Sequence, residues 1–586
     1  MPAFLVSAEP DNPPRQGCIV SPDHLRLHLI KILMNKNSFL PAMTGAVLLL
    51  LVALPVAFVV LQAVFPHLDS GRLSAPFGAF GQLFADASLR NMIVTTLKVG
   101  LGVALCSAVL GIPLGALRGL FALPGAALWD LLFLIPFMMP PYIAALSWML
   151  ALQTNGYVEQ LLPLRLNHFL FSLPGIVAVM TLNVFPVVYF AVSRSMAASG
   201  SRLADVARIH GAGPWRAFIR VTLPLALPSV ASSLLLAFTL SIEEYGVPGA
   251  LGARSGVNVL TTGIEQRLAD WPVDMPGAAV LSLVLVAIAL CAYSVQKAVL
   301  AGRNVETLTG KPADVVAKKL GRATWPVLAL FTLVAFITVG MPLLSMVITA
   351  FSGTLSGGIS LDNLTLRHYV ALFAIDGDAI GALGTSLSLA LATALIAGAV
   401  GLLASWLVVV RKVRGAVVID ALSLLPAALP GIVVGVGLIL AWNRGFWPVT
   451  PYNTWGILLL AYCCLLLPYP VRYVSAALKQ IGGNLDAAAR VHGASAAQAL
   501  WRILLPLVLP SLLAAMMMVF AVASRELVTS LLLAPAGVQT VSVFVWRQFE
   551  QGSVGDGMAM ASIAVLVSIT IMLIAVKVGG RSNSRF

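Results

Sequence analysis

The chain says nearly the same thing twice. The stretch 203–229, LADVARIHGAGPWRAFIRVTLPLALPS, returns 282 residues later as LDAAARVHGASAAQALWRILLPLVLPS over 485–511, identical at 14 of 27 positions without a gap. The shared positions include Arg208/Arg490, His210/His492, Gly211/Gly493, Arg220/Arg502, Pro224/Pro506 and Pro228/Pro510. A second match, 133–150 with 423–440, keeps Pro136/Pro426 and Pro140/Pro430 in step at an offset of 290. By Phe185-Pro186 and Leu467-Pro468 the offset is 282 again, so the second copy is eight residues shorter in one intervening loop, where indels are tolerated. A chain duplicated in this way folds as two homologous halves.

The surroundings of the repeat fix the solvent. Of 586 residues, 59% are hydrophobic and 10% charged, and the mean hydropathy is +0.95, more apolar surface than a soluble core can hide. Windows of about 20 apolar residues, the length that crosses a bilayer, occur twelve times, near 39–65, 92–117, 127–152, 169–193, 225–242, 277–299, 325–351, 382–410, 415–442, 454–474, 507–523 and 557–577. The expected fold is all-α and integral to the membrane, with about twelve transmembrane helices in two six-helix halves. The divisions expected are a cytoplasmic segment 1–38, a first half 39–300, a charged cytoplasmic linker 301–324 and a second half 325–586. Two halves with an even number of spans are related by an axis along the membrane normal, and the pathway lies between them.

The net charge of +13 does not imply a nucleic-acid partner. With the N-terminus inside, 26 of the 36 Lys and Arg fall on the cytoplasmic side and nine on the other, Lys98 being within a span. That bias places both termini in the cytoplasm. The first apolar run is too long and too far from the start for a cleavable signal, so it stays as an anchor. Cys18, Cys106, Cys291, Cys463 and Cys464 are odd in number and mostly within spans, reading as small apolar side chains rather than a disulfide frame or metal site.

Seven prolines, Pro136, Pro140, Pro141, Pro186, Pro426, Pro430 and Pro468, fall inside spans, where each removes a backbone donor and bends or breaks a helix. Either they serve bundle packing or they make broken helices that face the pathway. The repeated P-x3-P spacing favours a shared geometric role.

In the paired loop the spacing predicts a helix over 203–210, a left-handed ending at Gly211 and a second amphipathic helix from Pro214, with Trp215, Phe218 and Ile219 on one face. At these residues the chain resembles the integral-membrane permeases of binding-protein-dependent ABC importers, whose cytoplasmic EAA loop reads E-A-A, three residues, G, nine residues, I-x-L-P. The first copy gives Asp205-Val206-Ala207, Gly211 and Val221-Thr222-Leu223-Pro224; the second gives Ala487-Ala488-Ala489, Gly493 and Ile503-Leu504-Leu505-Pro506. The acidic position departs from the family: Asp205 is a methylene shorter than glutamate, and Ala487 has no carboxylate, although Asp486 is adjacent.

The resemblance implies a type I importer permease in the inner membrane of a bacterial cell, with Asp205, Ala207, Arg208, His210, Gly211 and Ala212, and Asp486, Ala489, Arg490, His492, Gly493 and Ala494, docking two copies of an ABC ATPase. It also implies a soluble periplasmic or lipid-anchored substrate-binding protein. The chain contains no G-x-x-x-x-G-K-[ST] phosphate loop, so it is expected not to be an enzyme and to hold no cofactor, ATP and magnesium belonging to the partner.

Acids follow the fifth span of each half: Glu243, Glu244 and Tyr245 in the first, Arg525 and Glu526 in the second. Ionisable groups there suit the mouth of the pathway or a binding-protein contact, or form an interfacial pair with no specific task. The fused layout and the stretch R-E-L-x-x-S-L-L-L-x-P look most like the ferric iron branch of the family, whose relatives serve thiamine, 2-aminoethylphosphonate and polyamines. Carboxylates suit a hard cation, so ferric iron is the expected substrate. The alternatives from other classes are an ion-coupled secondary transporter, which would place coupling acids such as Asp130 or Asp420 deeper in spans, and a membrane scaffold.

Overall fold

The computed structural model describes residues 39–68, 71–199, 202–301, 319–374, 378–482 and 484–583. The N-terminal segment and most of the linker between the repeats therefore lie outside the described residues. The chain divides into two compact units, Met1–Val47 and Leu48–Phe586. In the first, residues 39–47 are helical and the Thr44 hydroxyl donates to the Leu40 carbonyl at 2.9 Å. The second holds both repeats. Among its described residues there is no strand, and Ser352 and Leu364 form an isolated bridge.

Nine helices are long and apolar enough to cross a membrane among the described residues, and three bent pairs raise the number to as many as twelve. The bent pairs are Ala126–Met138 with Pro141–Leu161 (95°), Ala416–Ala428 with Gly431–Trp442 (117°) and Trp455–Leu466 with Pro468–Ile481 (41°). The expected all-α membrane architecture is thus what forms. The prolines do not act alike: Pro136, Pro140 and Pro141 belong to the first break, Pro426 and Pro430 to the second, and Pro468 to the 41° bend, whereas Pro186 stays inside the continuous helix Leu173–Ser199.

Four of the five π-helical turns among the described residues, Leu49–Ala53, Phe218–Thr222, Phe336–Gly340 and Leu500–Leu504, end two residues before a proline, namely Pro55, Pro224, Pro342 and Pro506. A wider turn moves the carbonyl that the proline ring would strike and accommodates its missing N–H without a break. The helix Pro214–Ala217 consequently runs through its π turn straight into Leu223–Glu243. The sequence pattern suggested a separate amphipathic helix there; instead the surface segment and the span are one helix.

The first helix of each half packs on the other half, which the repeat pattern does not reveal. Leu54–Val64 lies against Gly431–Trp442, and Met341–Phe351 lies against Pro141–Leu152. A Cβ on Gly437 would come within 2.7 Å of the Pro55 carbonyl oxygen, so the close approach requires glycine. Arg444 donates to Leu68 O (3.1 Å) and to Gln62 Oε1 (3.2 Å) at the end of the first contact. At the second, the hydroxyls of Tyr157 and Thr349 share a hydrogen bond of 2.6 Å, and Gln160 Oε1 accepts from the Ile359 N–H at 3.0 Å. One buried apolar cluster runs through both halves, from Val59 and Ile143 to Val433 and Met558. No disulfide is formed among the described residues: Cys463 and Cys464 are buried free thiols.

Candidate functional site

The paired loops fold alike because their sequences impose the same ending. Arg202–Ile209 stops at Gly211 (φ +87°) and Asn484–Val491 at Gly493 (φ +83°). In each, the glycine N–H donates to Arg208 O or Arg490 O and the next N–H donates to Ala207 O or Ala489 O, all at 3.0 Å. This paired arrangement satisfies helix carbonyls that would otherwise be orphaned, and the left-handed residue in it favours glycine. The second helices start differently. Pro214 opens the first, while Ser495 and Gln498 form a reciprocal capping box in the second, with bonds of 3.2 and 2.8 Å.

Arg208, His210 and Gly211 are exposed, as are Arg490, His492 and Gly493, while Ala212 and Ala494 are half-buried. Ile209 and Val491 occupy equivalent tips at 82% and 85% exposure, an apolar knob repeated in both halves. Ala489 faces inward, and so does Asp486 at 7% exposure, whereas Ala487 faces out. Asp486 therefore does not replace the missing acid on the exposed face. Ala207 and Asp205 lie in the first helix; the side chains of Asp205, Trp215 and Phe218 lie outside the described residues.

Between the halves, the first broken helix builds a second site. In an α-helix the carbonyl of residue i is met by the N–H of residue i+4. For Pro136 and Phe137 those residues are Pro140 and Pro141, which have none. Side chains supply the donors. Asn183 Nδ2 donates to Pro136 O at 2.6 Å and to Met139 O at 3.3 Å, and Arg525, reaching over from the second half, donates to Phe137 O at 3.2 Å and to Met138 O.

Beside this break is a cavity of about 180 Å³, lined by Phe137, Pro141, Asn183 and Glu244 of the first half and Tyr469 and Arg525 of the second. It presents one carboxylate, one guanidinium, an amide and a phenol to a small, mostly apolar space. Of the acidic-end residues singled out in the sequence, Glu244 and Arg525 meet here. Glu526 instead accepts from the Thr529 N–H and hydroxyl, each at 3.2 Å, and Glu244 also accepts from the Gly246 N–H at 2.7 Å, so both acids cap the short helices that follow them. Tyr245 packs its ring 5.9 Å from that of Trp546, away from the cavity lining, and Glu243 Oε1 is buried with no hydrogen-bond donor. Asn183 and Tyr469 were not picked out from the sequence; the usable signal was a lone amide in an apolar span.

Asp130, one of the two acids within predicted spans, is held by Arg118 in a two-oxygen ion pair (3.1 and 2.7 Å) and by the Tyr189 hydroxyl (2.7 Å). Among the described residues no three His, Cys, Asp or Glu side chains converge to hold a metal ion.

Comparison with known proteins agrees with the repeat. Residues 111–304 and 397–582 each match the family described as binding-protein-dependent transport system inner membrane component. The ferric transport system permease protein FbpB of Actinobacillus pleuropneumoniae is 25% identical over 80% of this chain and 68% of its own length. The Fe(3+)-transport system permease protein FbpB 2 of Haemophilus influenzae is 24% identical over 76% of this chain and 81% of its own. The protein named "Putative 2-aminoethylphosphonate transport system permease protein PhnV" of Salmonella typhimurium is 29% identical over 43% of this chain and 92% of its own length. The chain therefore belongs to the family of binding-protein-dependent transport system inner membrane components, as a permease of an ABC importer with two family domains fused in one polypeptide.

Proposed function

We infer that this permease passes ferric iron, handed over by a soluble binding protein, and that two copies of a separate ABC ATPase drive it by docking at the loops around Gly211 and Gly493. The observation that carries the iron reading is coverage. The relatives named for ferric transport share the fused layout and align along both halves, whereas the one named for 2-aminoethylphosphonate matches over 92% of a length that spans less than half of this chain. The exposed tips Ile209 and Val491, set on identical glycine endings, fit a cleft in each ATPase. ATP and magnesium are then bound by the ATPase, and the loops lie in the cytoplasm with both termini, on the side where Lys and Arg accumulate. In this arrangement closure of the ATPase pair on ATP pulls the two docking helices together and moves the halves about the cavity between them.

A conduit has to release what it binds, so its sites are weak. One carboxylate, Glu244, in the cavity suits passage of iron better than retention. Arg525 in the same lining favours a second reading, a small zwitterion such as 2-aminoethylphosphonate, its ammonium toward Glu244 and its phosphonate toward Arg525. Uptake into proteoliposomes containing permease, ATPase and cognate binding protein separates the two: iron(III) accumulates on ATP addition under the first reading. Accumulation of 2-aminoethylphosphonate, thiamine or a polyamine without iron would replace it.

A further inference from the structure

The second half carries a cavity beside its glycine-turn loop. About 670 Å³ in volume, it lies where the ends of the spans Asp378–Val410 and Pro468–Ile481 meet the loop helix Asn484–Val491. Its wall is apolar, made by Val408, Val410 and Leu478 in the last turns of those spans, and its rim carries Lys412, Lys479 and Arg490. No ion pair among the described residues engages any of these three cations. Asp486 also lines it, 7% exposed, with Oδ1 buried and lacking a donor. A buried acceptor without a donor is costly unless something supplies one.

The repeat gives an internal control. At the registers established above, Lys412, Lys479 and Asp486 correspond to Ala122, Ala197 and Ala204, and of the charged group only Arg490 has a charged counterpart, Arg208. Lys412, Lys479 and Asp486 are thus not needed to build the helix, the glycine turn or the span, since the first half forms all three with alanines there.

We propose that this cavity binds an anionic phospholipid whose headgroup carries hydroxyls beyond the phosphate, phosphatidylglycerol being the type. The apolar wall at the end of two spans takes the start of the acyl chains, and three cations against one carboxylate give a net positive rim for the phosphate. A headgroup hydroxyl donates to Asp486 Oδ1, which a phosphate diester alone cannot do. Occupancy ties the ends of the two spans to one docking helix, on one half only. The site does not depend on which substrate the permease carries.

The test is lipid binding to the purified permease–ATPase complex, measured by native mass spectrometry and by exchange of labelled lipid in nanodiscs. Phosphatidylglycerol is expected to bind roughly tenfold more tightly than phosphatidylcholine. Lys412→Ala with Lys479→Ala, copying the first half, removes that preference, and Lys412→Arg with Lys479→Arg restores it, which separates charge from misfolding. Asp486→Ala leaves anionic binding but brings phosphatidylglycerol level with phosphatidylmethanol, a diester of the same charge that has no headgroup hydroxyl. Equal binding of phosphatidylcholine, or no loss in the double alanine variant, overturns the proposal. Displacement of the lipid by millimolar inorganic phosphate also overturns it, marking a free-anion site instead.

Discussion

The two halves break the same helix in different ways. In the first, the pair Pro140-Pro141 leaves the carbonyls of Pro136 and Phe137 without backbone donors, and Asn183 and Arg525 supply donors from side chains. In the second, the pair is Pro430-Gly431, the carbonyl of Pro426 is met by the Leu429 N–H at 3.2 Å within a 3-10 turn, and the equivalents of Asn183 and Arg525 are Leu465 and Glu243. One extra proline thus goes with two extra donors. A duplicated bend thus need not keep a duplicated mechanism: where the backbone itself meets the Pro426 carbonyl, the amide that serves Pro136 is not required. The difference also explains why the charged cavity lies beside the first break.

Exchanging residues between the breaks tests this. Arg525→Glu, which installs the first half's residue at the second half's position, sets a carboxylate against the carbonyls of Phe137 and Met138 and should destabilise the fold by about 3–5 kcal/mol. A wild-type thermal denaturation midpoint for this variant in detergent would refute the account of the break. Asn183→Leu, copying Leu465, leaves the Pro136 and Met139 carbonyls short of a donor at a loss of about 1–3 kcal/mol, read from the same melting curves. Its mirror, Leu465→Asn, should not stabilise through the Pro426 carbonyl, which already accepts from the Leu429 N–H.

Smaller effects are expected where the halves agree or where nothing is paired. Gly211→Val and Gly493→Val each force a β-branched residue into a left-handed turn, at about 1–2 kcal/mol per site. Although modest for stability, the two together should abolish co-purification of the ATPase and ATP-driven uptake; retention of both would remove the docking assignment. Glu243→Gln removes a buried carboxylate whose Oε1 has no donor and should change stability by less than about 1 kcal/mol. A large loss on calorimetry would mean that Glu243 has a partner in the folded protein.

Much of the fold was legible because its signals are local. A span announces itself by some twenty apolar residues, and the turns at Gly211 and Gly493 by glycine after a helical run followed by proline or a capping serine. Proline flagged the breaks, yet gave the same signal at Pro186, where the helix continues, and at Pro468, where its equivalent bends by 41°. Whether a carbonyl freed by proline finds another donor depends on neighbours that proline itself does not specify. The inward turn of Asp486 was equally hidden, since a single carboxylate beside an alanine reads as exposed on any helix of charged pattern.

Sequence alone determined the membrane class, the duplication, the paired glycine turns and the presence of charges after the fifth spans, all of which follow from composition, periodicity and short-range sterics. Tertiary structure decided which half each first helix packs against, which of those charges share a cavity, and how the first break is satisfied. Arg525 and Phe137 are 388 residues apart along the chain, and contact at that distance is set by how the apolar helices pack, through surfaces that all read alike as leucine, valine and alanine.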